Sequence, residues 1–207
     1  MAKAVERATK APTADRRQRI LDAAVRVFAR QGFHRCRVAD IADEAGVAYG
    51  LVYHYFDSKD QVLNELFRER WSLMLDAIAE VDARSISARE KLDAVARFII
   101  DSYRHNPELM KVIIVEVTRA ANSFGRTHLA EITRAYDSIA TIVAGGQERG
   151  EFRADVDPGF ASMWFYGAIE QLLSGWVFDL IPHTDADFAR AREMVVETIC
   201  GGLDARS

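Results

Sequence analysis

The chain has 207 residues, and 49% of them are hydrophobic, so it can form one domain or two small domains around an apolar core. Its 4 prolines and 12 glycines favour long helices, and its two cysteines, Cys36 and Cys200, argue against a disulfide framework or a zinc cluster. The net charge of −4 argues at first against a partner as acidic as DNA.

The distribution of charge along the chain changes that interpretation. Up to Asp60 the chain carries 11 basic and 8 acidic residues, whereas the remainder carries 16 basic and 23 acidic residues. A cationic end on an anionic body would orient the protein toward a polyanion. The segment before residue 20 is charged and polar rather than an apolar leader, so we expect free thiols in a reducing, cytoplasmic compartment.

The N-terminal region predicts an arm followed by a first helix. Residues 1–12 are interpreted as a flexible arm, Thr13 as the cap of the helix, and Gly32 as its end. Three arginines fall in the opening turns of this helix: Arg16, Arg17 and Arg19. Residues 13–60 are assigned to one small domain.

Residues 38–59 read VADIADEAGVAYGLVYHYFDSK, which predicts two short helices joined by a tight turn. Gly46 supplies the backbone freedom that a sharp turn needs. In the second helix Val52 and Phe56 recur at helical spacing and are expected to pack inward. The outer face then carries small, aromatic or hydrogen-bonding residues: Tyr49, Gly50, Tyr53 and His54. Such a helix suits the major groove of DNA, which is wide enough to admit it.

Helix-turn-helix pairs also occur as plain packing units, but here the turn, the tyrosine-rich run and Asp-Ser-Lys occur together at fixed distances. The segment from about Arg17 to Leu63 resembles the DNA-binding domain of the TetR family of bacterial transcriptional repressors. The resemblance rests on Ile20-Leu21-Asp22-Ala23-Ala24, Phe28, Gly32-Phe33, Val38, Ile41-Ala42, Ala45-Gly46-Val47, Gly50, Tyr53, Tyr55-Phe56 and Ser58-Lys59. It implies a palindromic double-stranded operator as partner and a second domain that dimerises and senses a ligand.

The DNA contacts are predicted from the resemblance and from the outward positions. We expect base edges to be contacted at the start of the third helix, by Ala48, Tyr49, Gly50 and Leu51. We expect phosphates to be held by Arg37, Tyr53, His54 and Lys59, with non-specific attraction from Arg16 and Arg17. This chain has Cys36-Arg37 where the family often has Thr-Thr, so the cap of the second helix is expected to be weaker.

Six further helices are predicted after Ser58, which is expected to cap the fourth helix. Their approximate spans are 59–81, 88–105, 106–122, 127–148, 159–178 and 185–201. No strand-like alternation is present, so the chain is predicted to be all-α with about nine helices. Residues 61–207 are assigned to a helical domain for effector binding and dimerisation.

The predicted eighth helix is apolar enough to be considered as a membrane span, because Glu170 is the only charged residue between Gly159 and Phe178. Twenty such residues could span a bilayer, but an acid at the bilayer centre costs about 2.5–3.5 kcal/mol. We therefore predict no membrane span, and expect a helix buried within protein on nearly all sides.

The last two helices are predicted to hold two copies together, since paired half-sites need two reading heads at a set distance. The alternative is that the same residues form the core of one chain. The interface candidates are Ala161, Ala168, Leu172, Gly175, Trp176, Val195 and Ile199.

A ligand cavity is predicted among helices four to eight, although residues of this type also form ordinary cores. The candidates are Phe98, Tyr103, Met110, Ile114, Met163, Trp164, Tyr166, Glu170 and Gln171. Glu170 stands out because a carboxylate in an apolar helix is costly without a partner.

Residues 165–178 (FYGAIEQLLSGWVF), with Gly32-Phe33-His34 and the Ala48-x-Gly50 turn, resemble fatty-acid-degradation regulators of the FadR-like type within the TetR family. That resemblance implies a long-chain acyl-CoA effector, whose phosphates would meet Arg104, Lys111, Arg119 or Arg126.

Two alternatives to a ligand-responsive repressor stay open. One is a DNA-binding dimer without an effector. The other is an enzyme based on His34 and Cys36, which we disfavour because neighbours two apart point away from each other. No metal or other cofactor is expected.

Overall fold

A computed structural model describes the backbone of residues 2–119 and 128–204, and the side chains of residues 15–115 and 128–204. Within these residues the chain forms nine α-helices and no strand, so the predicted all-α class is confirmed. The helices are α1 (Ala2–Gln31), α2 (Val38–Ala45), α3 (Tyr49–Tyr55), α4 (Lys59–Asp82), α5 (Ala88–His105), α6 (Pro107–Arg119), α7 (Leu129–Glu148), α8 (Pro158–Val177) and α9 (Asp185–Leu203). Phe152 and Asp204 form an isolated antiparallel bridge.

Several predicted boundaries need correction. The segment predicted as an arm, residues 1–12, is helical from Ala2 onward, so Thr13 is not a helix cap. Most residues before Thr13 are Ala, Lys, Glu and Arg, which have good helix propensity. The predicted end of the sixth helix near Asn122, and Arg126, lie outside the described residues.

The chain divides into two compact units, Met1–Glu69 and Arg70–Ser207, so the division falls inside α4 and later than the predicted position at residue 60. In the first unit, α1 to α3 and the start of α4 enclose a small apolar core. Its most buried side chains include Ile20, Leu21, Val27, Ile41, Val52, Phe56, Val62 and Phe67. Ser58 caps α4 as predicted, since its hydroxyl accepts a hydrogen bond from the Gln61 N–H at 3.2 Å.

In the second unit the helix starts are set by local caps. Ser87 and Glu90 form a reciprocal capping box at the start of α5, and Thr184 and Asp187 do the same for α9. Asp157 caps α8 directly before Pro158, which suits the first helical position. The core of this unit contains Leu92, Ile99, Ile139, Ile142, Phe165, Ile169 and Trp176.

Helix α8 is not covered on all sides within one chain, contrary to the prediction. Phe160 and Trp164 are each 60% exposed, and Met163 is 54% exposed. Its opposite side carries the fully buried Phe165 and Ile169. In the part of the chain that the structure describes, no helix combines the length and apolar character needed to cross a bilayer.

Candidate nucleic-acid interface and ligand cavity

The turn between α2 and α3 is built around Gly46. Its backbone is left-handed, with φ of 64°, a conformation that glycine adopts without steric cost. The Val47 N–H donates to the Ala42 carbonyl at 3.0 Å, which closes the end of α2. The guanidinium of Arg19 donates to the Ala45 carbonyl at 3.0 Å, so this arginine of α1 holds the same helix end.

The start of α2 is capped from inside the helix. The Arg37 N–H donates to the Asp40 carboxylate at 2.7 Å, while the Arg37 side chain makes no cap hydrogen bond. The Asp40 N–H, from which a hydroxyl at position 37 would otherwise accept a hydrogen bond, donates instead to the Arg37 carbonyl at 3.0 Å. Arg37 is exposed, which leaves its guanidinium directed to solvent.

The outer face of α3 is exposed as predicted. Ala48, Tyr49, Gly50, Tyr53 and His54 are exposed, whereas Leu51 is half-buried. The hydroxyls of Tyr49 and Tyr53 lie 3.2 Å apart, and their ring centroids are 5.1 Å apart in an edge-on arrangement. The hydrogen bond from Tyr49 raises the pKa of Tyr53 above its ordinary value. The two phenols are thus held together as one polar unit.

The basic residues around this face divide into two groups. Arg16 and Arg37 are exposed and form no ion pair with any described residue. Arg17 is different, because its guanidinium pairs with Glu65 and, at 2.7 Å, with Glu69. It also lies 5.4 Å from the centre of the Phe56 ring. Arg17 therefore ties α1 to α4 through its guanidinium, and its predicted role in attracting DNA stays a prediction.

Lys59, which is predicted to contact a phosphate, is also engaged within the protein. Its ammonium donates to the carbonyl oxygens of Phe33 at 2.6 Å, Cys36 at 3.1 Å and His34 at 3.3 Å. An ammonium has three N–H donors, so all three are used within the protein. Lys59 fixes the loop that precedes α2, and the prediction could not foresee this because its partners lie more than twenty residues earlier in the chain.

Acidic side chains neutralise further cations of the first unit. Glu44 accepts hydrogen bonds from Arg26 at 2.7 Å and from Arg30 at 3.0 Å. These two hydrogen bonds lower the pKa of Glu44 below its ordinary value. Fewer cationic side chains of the N-terminal region are therefore free of ion pairs than the number of its basic residues indicates.

The second unit contains a cavity of about 140 Å³. Its lining is mainly apolar and comes from α4, α5, α6, α7 and α8. The lining residues are Arg70, Trp71, Met74, Ile99, Met110, Ile113, Ile114, Ile132, Tyr136, Tyr166, Glu170 and Leu173. A cavity of about 150 Å³ takes a molecule the size of benzene, so a longer ligand requires these side chains to move.

The polar groups of the cavity are a guanidinium, a carboxylate and two phenols. Burial raises the pKa of Tyr166 and of Tyr136, and the nearby Glu170 adds to both shifts. The two tyrosine rings meet edge-on with centroids 5.4 Å apart. Burial lowers the pKa of Arg70, whose side chain is 7% exposed. The cavity therefore offers neutral hydroxyls and one desolvated cation.

The structure brings four of the nine predicted ligand residues to this cavity: Met110, Ile114, Tyr166 and Glu170. Tyr103 instead packs against Trp176 and Phe188, with ring centroids 5.5 Å and 5.9 Å away. Phe98, Met163, Trp164 and Gln171 do not line the cavity, and the last three are exposed. The helical period of α5 and α8 predicts the side of the helix on which each residue lies. It does not predict which other helix packs against that side.

Sequence reasoning missed Arg70, although a signal was present. Arg70 follows Leu66 and Phe67 by four and three positions and precedes Met74 by four. These spacings place a charged residue on the apolar stripe of α4, the same anomaly that drew attention to Glu170.

An apolar groove lies between α8 and α9. Ala168, Leu172, Val195 and Ile199, all predicted at a dimer interface, line it together with Trp176. Two predicted interface residues lie elsewhere: Ala161 is fully buried inside the unit, and a Cβ at Gly175 would lie 3.0 Å from Ile181 of the same chain. Trp176 is 2% exposed and donates to the Pro182 carbonyl at 3.0 Å, so it belongs mainly to the core.

The predicted CoA-binding cations are only partly described. Arg104 is already engaged by Asp101 at 2.9 Å and Asp185 at 2.5 Å. Lys111 is exposed, and the side chains of Arg119 and Arg126 lie outside the described residues.

Comparison with known proteins agrees with this architecture. Residues 20–66 match the family described as bacterial regulatory proteins, tetR family, and residues 67–200 match the YsiA-like protein, C-terminal region. The chain is 29% identical over 187 residues to the fatty acid metabolism regulator protein of Bacillus subtilis. This match covers 89% of the present chain and 93% of the Bacillus subtilis protein.

Two solved structures are also similar. The fatty acid degradation regulator FadR from Bacillus halodurans has a TM-score of 0.82 at 26% identity, covering 92% of this chain and 97% of that one. The transcriptional regulator FadR from Bacillus subtilis, in complex with stearoyl-CoA, has a TM-score of 0.80 at 26% identity, covering 90% of this chain and 98% of that one.

The chain belongs to the tetR family of bacterial regulatory proteins, with a C-terminal region of the YsiA-like type. It is a transcriptional repressor of the TetR/FadR type and not an enzyme. The family resemblance predicted from residues 17–63 and 165–178 is therefore confirmed.

Proposed function

We propose that this protein is a homodimeric repressor that binds a palindromic operator through α3 and is released by a long-chain acyl-CoA. The observation that carries the proposal is the exposed, acid-free face of α3, combined with an apolar cavity in the second unit. The similarity to a FadR in complex with stearoyl-CoA supports the choice of effector.

The DNA contacts are assigned by exposure and free hydrogen-bonding groups. Ala48, Tyr49, Gly50 and Leu51 contact base edges at the start of α3. Phosphates are held by the exposed side chains on either side of this segment: Arg37, Tyr53, His54 and Arg16. Arg17 and Lys59 support these contacts indirectly, because their cationic groups bind the protein itself.

The dimer is proposed to form through α8 and α9. The exposed apolar side chains Phe160, Met163, Trp164 and Met194 would cost free energy in water, and a second copy would cover them. The groove lined by Ala168, Leu172, Val195 and Ile199 offers space for side chains of the second copy. A two-fold dimer then matches the two half-sites of a palindrome.

The effector is proposed to act through α4. This helix contributes Arg70, Trp71 and Met74 to the cavity and residues 59–69 to the DNA-binding unit. An acyl chain larger than the cavity must displace lining side chains, so its binding free energy depends on the position of α4. A ligand shifts an equilibrium only through unequal affinity for two states, and here these states differ in the separation of the two α3 helices.

The test is selection of duplexes from a random pool at low ionic strength, followed by titration with stearoyl-CoA. We expect one palindromic sequence to be enriched and to dissociate on addition of stearoyl-CoA, but not of CoA alone. The Ile113→Phe variant is the matched control, because it reduces the cavity without touching the DNA-binding unit. It should keep DNA affinity and lose the response.

The outcomes separate the alternatives. Enrichment without any response to stearoyl-CoA would favour a DNA-binding dimer that has no effector of this class. Enrichment of no duplex would contradict the assignment of α3. An equal response in wild type and Ile113→Phe would indicate a detergent effect and contradict binding in the cavity.

A further inference from the structure

Arg70 is a buried cation that finds no strong hydrogen-bond acceptor among the side chains that the structure describes. Its side chain is 7% exposed and lines the cavity of the second unit. Its Nε donates to the Met110 sulfur at 3.5 Å, and its guanidinium lies 5.0 Å from the centre of the Phe98 ring. Within the described residues, no carboxylate lies within ion-pair distance of Arg70.

These surroundings leave most of its hydrogen-bonding capacity unused. A guanidinium carries five N–H donors, and a thioether sulfur is a weak acceptor. An aromatic face offers attraction to a cation but no directed acceptor. Burying a guanidinium beside such weak partners costs free energy, and burial also lowers the pKa of Arg70. The free energy is regained when an oxygen atom enters the cavity and accepts these donors.

The other polar groups of the cavity limit the type of ligand oxygen that can accept hydrogen bonds from Arg70. Glu170 lines the same cavity, so a carboxylate ligand would bring a second acid close to it. Tyr136 and Tyr166, whose pKa values are raised by burial, remain neutral hydroxyls that can also donate. A neutral carbonyl oxygen satisfies Arg70 without adding an anion.

We propose that Arg70 binds the thioester carbonyl oxygen of the acyl-CoA effector and so distinguishes thioesters from other molecules with the same chain. The inference rests on the proposed effector class and assigns the residue that selects within it. Arg70 belongs to α4, so the hydrogen bond also joins the effector to the helix that is proposed to transmit its binding.

The test compares three ligands that share one chain. Stearoyl-CoA carries the carbonyl, S-octadecyl-CoA is a thioether that lacks it, and stearate carries a carboxylate without CoA. Calorimetric titration of the wild type should show stearoyl-CoA binding about tenfold to a hundredfold more tightly than S-octadecyl-CoA, as for a hydrogen bond to a charged group. Stearate should bind more weakly than stearoyl-CoA.

The variant Arg70→Met keeps an unbranched apolar side chain about as long as the aliphatic stem of arginine and removes the guanidinium with its charge. It should bind both CoA compounds with the affinity that the wild type shows for the thioether. Its melting temperature without ligand should be equal to that of the wild type or higher, because a buried charge has been removed. Arg70→Lys keeps a cation without the planar fork and should retain part of the preference.

The outcomes are separable. Equal affinity of the wild type for thioester and thioether overturns the inference and leaves the proposed effector class intact, and that comparison needs no variant. If Arg70→Met keeps the preference but melts at a lower temperature, Arg70 is a structural residue and the inference is wrong. Tighter binding of stearate than of stearoyl-CoA overturns the thioester assignment. If the wild type binds neither CoA compound, the proposed function and the inference both fail.

Discussion

The ammonium of Lys59 lies 2.6 Å from the carbonyl oxygen of Phe33 and 4.6 Å from the centre of the Phe33 ring. One side chain at the start of α4 thus holds both the backbone and the aromatic ring of Phe33, the second residue after the end of α1. Phe33 in turn meets Phe28 edge-on, with ring centroids 5.4 Å apart. Lys59 connects the loop before α2 to the core of the DNA-binding unit.

Lys59→Met should therefore act on stability rather than on phosphate contact. Three carbonyl oxygens lose a charged donor, and we expect the free energy of unfolding to fall by about 1.5–3 kcal/mol. Urea denaturation followed by circular dichroism measures this change. The salt dependence of DNA binding should keep its wild-type slope, because no phosphate contact is lost.

Arg37→Ala is the matched comparison for Lys59→Met. Arg37 is exposed and its side chain caps nothing, so the free energy of unfolding should change little. If Arg37 holds one phosphate, the slope of log K against log salt should become shallower by about 1. A shallower slope for Lys59→Met, or a destabilised Arg37→Ala, would reverse the two assignments.

Substitution of the two tyrosines of α3 should have different effects on DNA binding, one on affinity and the other on sequence preference. Tyr53→Ala should weaken binding to all duplexes to a similar extent, because Tyr53 is assigned to phosphate. Tyr49→Ala should change the preference among operator variants, by about 1–3 kcal/mol at the base pair that Tyr49 contacts. Binding to a panel of single-base operator variants measures both.

Tyr49→Phe separates the ring from the hydroxyl. It removes the 3.2 Å hydrogen bond to Tyr53 but keeps the edge-on ring contact. If Tyr49 reads bases through its ring, Tyr49→Phe should keep the wild-type preference. Equal losses on every sequence for Tyr49→Ala would contradict its assignment to a base.

Local sequence signals predicted most helix starts after Gly32 and the outward face of α3, although they failed at the start of α1. The start of α5 at Ala88 follows from Ser87 and Glu90, which are three residues apart and satisfy each other's backbone N–H groups. The turn at Gly46 follows from a conformation that glycine favours. Such features depend on neighbours along the chain, so no tertiary information is required.

The roles of long charged side chains could not be predicted in the same way. Arg17 is paired with Glu65, a partner 48 positions away, and the choice depends on how α1 packs against α4. The cavity shows the same limit. Met110 and Tyr103 both lie on apolar stripes, but only Met110 lines the cavity, because Tyr103 meets Trp176. Periodicity predicts which face is inward, and packing decides which inward residue borders a space.

Glu44 predicts a contribution to stability that depends on pH. Hydrogen bonds from Arg26 and Arg30 hold its pKa below the ordinary 4.5 in the folded protein. The stabilisation is therefore fully present above pH 4.5 and is lost as the pH falls through the lower, folded-state pKa. Glu44→Gln should be less stable than the wild type near neutral pH, and the difference should shrink in acid.

Thermal unfolding of the wild type and Glu44→Gln between pH 6 and about pH 3 measures this difference, since that range brackets an ordinary glutamate pKa. Glu80→Gln is a suitable control, because Glu80 pairs with Arg84 only on an exposed helix face. A constant difference between wild type and Glu44→Gln across the whole range would contradict the assignment, because it would show that the charge of Glu44 has no part in the effect.

Gly146 predicts a steric effect inside the second unit. A Cβ at this position would lie 2.7 Å from the Ala88 Cβ and 2.7 Å from the Phe152 ring, closer than unstrained atoms approach. Gly146→Ala would gain roughly 0.5–1 kcal/mol of helix propensity but lose about 1–3 kcal/mol to overpacking, so the steric term should win. Urea denaturation should show a net loss of stability.

Gly167→Ala in α8 is the control with the opposite expectation, because a Cβ there meets nothing within 4 Å in the same chain. It should raise stability by up to about 1 kcal/mol, the propensity gain alone. If Gly146→Ala were as stable as Gly167→Ala, the close approach of α7 to Ala88 and Phe152 would be wrong. The contrary result would be that Gly167→Ala is less stable than the wild type, with a difference that grows as the protein is diluted. In that case the added methyl group would be in contact with a second copy, and this side of α8 would belong to the proposed dimer interface.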